Sequence, residues 1–201
     1  MNNSAESFPR IYLVRHGETA WSLSRQYTGR ADIPLTARGE RDAVELSTHL
    51  EGLEFAQVLV SPLLRARQTA NLIGFGARVS FDPDLLEWDY GSYEGRRAAE
   101  VQAERPGWDL FTDGCPGGES LQDLALRADR VVEKLRAAAS DVLVVAHRDI
   151  LRILIARWIG LSPIDARRFY LDTASISIIG YQHSLAEPAV RLLNASGENI
   201  L

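Results

Sequence analysis

The sequence predicts an α/β fold, a three-layer α/β/α sandwich around a mostly parallel sheet. Ile11–Val14 and Val142–Ala146 are wholly apolar runs of strand length, the pattern of strands covered on both faces. Strand-like and amphipathic helical segments alternate along the chain, which implies crossover connections between parallel strands. Both apolar runs stop at polar residues, Arg15-His16-Gly17 and His147-Arg148. Open α/β sheets keep their ligand crevice at these strand ends.

In chain order, residues 1–9 read as a loose polar tail and 11–14 as the first strand. A long loop, 19–34, follows, and a loop of that length inside a compact domain is usually functional. A helix over 35–53 takes Thr36 as its N-cap and sets Ala43, Leu46, Leu50 and Leu53 on one face. Gln57–Val60 is a second strand. Ser61 as N-cap with Pro62 at the first helical position starts a helix that runs to Ile73. A strand over 78–81, an acidic and aromatic loop over 84–91 and a helix over 96–105 come next. The glycine-rich stretch 113–118 excludes regular structure. Ser120 and Asp123 form a capping box for a helix to Ala138, and the strand 142–146 leads to a helix over 150–159. Two further strands, 175–182 and 189–193, are joined by a hairpin-like turn.

The 201 residues are predicted to form a single domain, 1–201, with room for a large core. A net charge of -5 excludes a general nucleic-acid binder, which is usually basic. Lys134 is the only lysine among 22 basic residues, so nearly all the cations are arginines. Cys115, the one cysteine, permits no intrachain disulfide and reads as an inert loop thiol in a reducing compartment. No apolar leader or membrane span is legible, and a cytoplasmic protein without a membrane or nucleic-acid partner is expected.

Right-handed crossovers bring all parallel strand ends to one edge of the sheet. Arg15, His16, Arg65, Glu87, His147 and Arg148 are expected to meet there. Arginine presents a planar fork that matches phosphoryl oxygens. A helix N-terminus near Pro62 adds partial positive charge for the same anion. Positive neighbours hold an imidazole neutral and therefore nucleophilic. The set permits phosphoryl transfer to nitrogen with an acid on the leaving oxygen. Glu87 is expected to lie partly buried against Trp88, with Glu94 the competing carboxylate. Gly17 lets the backbone turn sharply or approach an anion closely. His49 and His183 read as surface residues. No His/carboxylate cluster has metal-ligand spacing, so neither a metal nor another cofactor is expected.

These residues carry a family resemblance. Arg15-His16-Gly17-Glu18-Thr19 matches the signature of the histidine phosphatase superfamily, the phosphoglycerate-mutase-like proteins. The segment Ser61 to Ala70 resembles its second motif and Ala146-His147 its last, so the likeness spans 10–182. The resemblance implies that His16 becomes phosphohistidine. It further implies that Arg15, Arg65 and His147 bind the phosphoryl oxygens. Glu87 would protonate the leaving oxygen and then activate water.

Mutases of the superfamily carry an insertion between the acid and the second histidine, along with Lys-Tyr-Gly and Trp-Arg-Arg segments that have no counterpart here. Only 59 residues, 88 to 146, separate Glu87 from His147. Water access to a phosphohistidine favours hydrolysis. The segment Trp21-Ser22 with Gln26-Tyr27-Thr28-Gly29 is similar to the sedoheptulose-1,7-bisphosphatase branch, as are 87–95, 113–115 and the 171–188 tail. That likeness implies a small phosphorylated substrate, a sugar (bis)phosphate, walled by Ser22, Gln26, Tyr27, Thr28 and Gly29. Arg148 stands where the family has glycine, and the branch's members run longer than this chain. Arg30 and Arg148 are expected to meet a distal phosphate or carboxylate. The alternatives are a phosphoglycerate mutase, a protein phosphohistidine phosphatase, and a silent phospholigand-binding relative. The late strands leave a homodimer open.

Overall fold

The structure, a computed structural model, describes residues 8–197. One six-stranded sheet organises it. The strands are β1 (Ile11–Arg15), β2 (Gln57–Val60), β3 (Val79–Phe81), β4 (Val142–Ala146), β5 (Ile176–Tyr181) and β6 (Pro188–Ala195), in the spatial order β3-β2-β4-β1-β5-β6. The first four in that order are parallel; β5 and β6 continue the sheet antiparallel. The α/β, mostly parallel fold class is thus the one observed.

The helices are α1 (Ala20–Leu23), α2 (Ala37–Ser47), α3 (Leu64–Leu72), α4 (Ala98–Glu104), α5 (Leu110–Asp113), α6 (Leu121–Arg136) and α7 (Arg148–Trp158). Strand side chains alternate between two faces, and both central strands show it. Ile11 and Leu13 pack with Val142, Val144 and Ala146 against α6 and α7. Tyr12 and Val14 pack with Leu143 and Val145 against α2 and α3. Apolar runs without polar interruption follow from helices on both sides.

Trp158, at the end of α7, shows how that layer is tied to the sheet. It is fully buried, its indole N–H donates to the Gly180 carbonyl at 2.8 Å, and its ring lies 5.2 Å from that of Tyr181. Trp158→Ala removes a large buried ring and strands a carbonyl, so it should cost about 3–5 kcal/mol. Urea denaturation followed by far-UV circular dichroism measures this.

Several sequence expectations need correction. The helix predicted over 35–53 keeps its Thr36 cap but ends at Ser47. There the hydroxyls of Ser47 and Thr48 bond back to carbonyls three residues earlier, and Gly52 turns with φ +77°. The long 19–34 loop contains α1, closed by a capping box between Thr19 and Ser22. Residues 96–97 pair with 26–27 instead of starting α4. A 3-10 turn over Pro163–Arg168 was not foreseen. Most of the expected loose tail lies outside the described residues, but Phe8 docks edge-on against Tyr181, with ring centroids 6.1 Å apart. Among the described residues no helix is long and apolar enough to cross a membrane.

Candidate active site

The register of two neighbouring strands builds the site. Arg15 of β1 stands opposite Ala146 of β4, so the residues that follow each, His16 and His147, emerge side by side. Their ring centroids are 5.1 Å apart. The amide of His16 still donates to the Ala146 carbonyl at 3.0 Å, which fixes where its side chain leaves the sheet.

His16 is buried, and its Nδ1 lies 2.7 Å from the Gly17 carbonyl. A carbonyl only accepts, so Nδ1 carries the proton and Nε2 keeps a free lone pair. Burial, then the nearby Arg65 and Arg15 cations, hold this imidazole well below the usual histidine range. His147 is treated the same way by burial, Arg65, His16 and Arg15. Arg65 Nε–H donates to His147 Nδ1 at 3.1 Å, so the single ring proton sits on Nε2 and reaches Ser61 Oγ at 2.7 Å. In this arrangement the one N–H that His147 can offer an anion is the Nε2–H now held by Ser61 Oγ.

Arg65 is fully buried and heavily engaged. Beyond His147 it donates to the carbonyls of Ala31 at 2.8 Å, Gly29 at 2.9 Å and Thr28 at 3.1 Å. The loop that caps it is held from the other side by Glu94, which accepts from the amides of Gly29 at 2.8 Å and Ala31 at 3.0 Å. Glu94 is therefore a loop clamp, which leaves Glu87 as the carboxyl facing the site. Arg15 donates to the Leu171 carbonyl at 2.6 Å, and its buried Nε has no partner among the described residues. An unmade buried bond of this kind costs about 1–3 kcal/mol.

Glu87 is fully enclosed, further than the partial burial expected. Its Oε1 accepts from the amides of Trp88 at 3.0 Å, Asp149 at 3.1 Å and Ile150 at 3.1 Å, whereas Oε2 shares only the Asp149 amide. The less loaded Oε2 is the oxygen with room to carry a proton. Burial first, then the Asp149 charge, raises its proton affinity above the ordinary carboxyl range; the amide bonds of Asp149 and Trp88 oppose this. Arg127 of α6 secures the segment by donating to the carbonyls of Leu86 at 2.9 Å and Glu87 at 3.3 Å.

Both helix N-termini at this edge are occupied by carboxylates, which corrects the expected anion site near Pro62. α3 begins at Leu64, whose amide donates to Asp32 at 2.5 Å, and Ser61 Oγ accepts from His147 Nε2 at 2.7 Å and from the Leu63 amide at 3.4 Å, ahead of the helix. α7 begins at Arg148, two residues early, with Glu87 serving as its cap from another segment. Gly17 has no unusual backbone conformation. It is required by close packing, because a Cβ there would stand 2.5 Å from the Gly39 carbonyl oxygen.

The side chains of three predicted substrate-side residues are bonded to backbone carbonyls, two within the loop and one across to the 95–97 segment. Ser22 Oγ donates to the Thr19 carbonyl at 3.0 Å, Gln26 Nε2 to Gly95 at 2.6 Å, and Thr28 Oγ1 to Gln26 at 3.1 Å. Tyr27 is half buried, its ring 4.8 Å from that of Tyr90. Arg30 stands 3.7 Å from Asp89 and 3.8 Å from Glu119. Arg148 lies beside His147 with two donors on Asp149, at 3.2 and 3.3 Å. Sequence reasoning missed Asp149, Tyr90, Arg127, the histidine-facing role of Ser61, and Thr69, whose hydroxyl accepts from the Gly17 amide at 3.1 Å. An acid in the first turn after a strand-end histidine was the one available signal.

Fold and site together define a phosphoryl-transfer enzyme of the phosphoric monoester hydrolase class. The sequence model of the histidine phosphatase superfamily (branch 1) matches residues 11–195, and the chain belongs to that family. It is 39% identical over 186 residues to an acid phosphatase of Mycobacterium tuberculosis, covering 90% of this chain and 91% of that one. With the sedoheptulose 1,7-bisphosphatase of Saccharomyces cerevisiae it shares 32% identity, over 92% of each chain. With the probable phosphoglycerate mutase GpmB of Shigella boydii it shares 37%, over 88% and 86%. The solved structure of open reading frame Rv3214 from Mycobacterium tuberculosis superposes with a TM-score of 0.88 at 37% identity, covering 94% of this chain and 99% of that one.

Proposed function

We propose that the protein is a phosphatase that hydrolyses a small phosphorylated metabolite, a sugar phosphate or bisphosphate, through a phosphohistidine on His16. The observation that carries this reading is the tautomer of His16. With Nδ1–H held by Gly17, an unprotonated Nε2 stands in a pocket whose cations resist its protonation.

Nε2 attacks phosphorus, the N–P bond forms, and the ester P–O bond breaks. The departing oxygen takes the proton from Glu87 Oε2. Water then enters, Glu87 takes a proton from it, the new O–P bond forms, and the N–P bond breaks to release inorganic phosphate. Arg15 and Arg65 meet the charge that builds on the transferring group. Such donors supply on the order of 2.7–4 kcal/mol each where removal has been measured. His147 joins them by turning its Nε2–H from Ser61 Oγ to an incoming phosphoryl oxygen, while Arg65 keeps its Nδ1 unprotonated.

The sedoheptulose bisphosphatase relative supports the sugar class, and the mutase relative supports a second reading as an isomerase of glycerate phosphates. A panel of phosphorylated metabolites separates them. Release of inorganic phosphate from sugar phosphates, insensitive to chelator, is the expected result. Bisphosphoglycerate-stimulated isomerisation of glycerate phosphate without phosphate release would overturn hydrolysis.

A further inference from the structure

We propose that Asp149, with Arg148 and Tyr90, is a positioning unit for Glu87, holding its carboxyl in place and setting the pH at which it still carries a proton. The inference deepens the proposed function and rests on Glu87 as its proton donor.

Asp149 is fully buried, yet its carboxylate is held by three side chains. Tyr90 donates its hydroxyl to Oδ2 at 2.6 Å, Arg152 donates to Oδ1 at 2.8 Å, and Arg148 reaches Oδ1 at 3.2 Å and Oδ2 at 3.3 Å. These bonds fix the backbone of the first turn of α7. From there the Asp149 amide donates to both oxygens of Glu87 at 3.1 Å. The same residue thus holds Glu87 by its main chain and carries a buried negative charge that raises the proton affinity of Glu87.

Two buried carboxyl groups this close do not both ionise readily. Burial opposes charge on Asp149 as well, but the Arg148 and Arg152 cations hold it below the usual carboxylate range, so it is the ionised member. Glu87 is the one that retains a proton. Other groups acting on Glu87 come from every neighbouring element: Arg15 of β1, Arg65 of α3, Arg127 of α6 and the Tyr90 hydroxyl on its own loop. Arg148 opposes Asp149 in its action on Glu87.

The two charges predict shifts of opposite sign, which a purely structural role does not. The pH dependence of kcat/KM for phenyl phosphate reports the free enzyme. Ionisation of the substrate is common to all variants and cancels in the comparison. Asp149→Asn removes the anion and leaves Arg148 uncompensated, so the basic limb should move down by about one pH unit. Arg148→Gln should move it up. Glu87→Gln serves as the reference and should abolish that limb. If Glu87→Gln keeps the limb, Glu87 is not the proton donor and both readings fall. If Glu87→Gln loses it while the other two shift the same way or not at all, only the Asp149 inference is overturned. Should Asp149→Asn prove unfolded by circular dichroism, the direction seen for Arg148→Gln decides alone, an upward shift supporting the inference and any other result refuting it.

Discussion

His16→Ala should lower turnover of phenyl phosphate by on the order of 10⁴-fold or more, the scale seen when an enzyme loses its nucleophile. No other described residue places an unprotonated ring nitrogen in the pocket, because both nitrogens of His147 are already bonded to Arg65 and Ser61. A brief incubation of the wild type with radiolabelled substrate should leave label that is stable to alkali and lost in acid, as expected of a phosphorus–nitrogen bond. The variant should acquire none. Label retained by the variant, or label stable in acid, would move the nucleophile elsewhere. The pH behaviour on the acid side follows from the same geometry. The folded protein holds His16 below the ordinary histidine range, so activity should persist as pH falls past the point where a free imidazole is protonated.

Glu87→Gln should reduce turnover by roughly 10²–10⁴-fold for an ester whose leaving alkoxide needs a proton. For 4-nitrophenyl phosphate, whose leaving anion is stable unprotonated, the loss should be much smaller. Raising a carboxyl above its ordinary range extends the proton-bearing form to higher pH, so wild-type activity should decline as pH rises through that raised value. The glutamine variant should lack this decline. Equal losses on the two substrates would mean that the side chain only supports α7, since Oε1 also caps that helix.

The parts of the fold legible in the sequence were those set by local pattern. The unbroken apolar runs over 11–14 and 142–146, the Thr36 cap and the Ser120–Asp123 capping box all depend on residues within a few positions of one another. The histidine pair was legible for a related reason, since each lies at the end of an unmistakable strand. What escaped is what distant residues decide. Ser61-Pro62 has every local mark of a helix start, but a histidine 86 residues away takes the hydroxyl, and Asp32 takes the helix amide. Glu87 caps α7 from 62 residues upstream, so no local cap announces where that helix begins. Ser22, Gln26 and Thr28 were singled out by their motif. Their hydrogen bonds to backbone carbonyls follow from the path of the loop, which composition does not encode.

The segment 28–31 is gripped by a cation on its carbonyl side and an anion on its amide side, Arg65 and Glu94. A lysine at 65 would keep the charge but offer at most three donors from one point, without a planar spread to span Thr28, Gly29 and Ala31. The 28–31 segment and the buried Arg65 are thus one mechanical unit, and loosening the grip on either side frees the loop and unsettles the cation together.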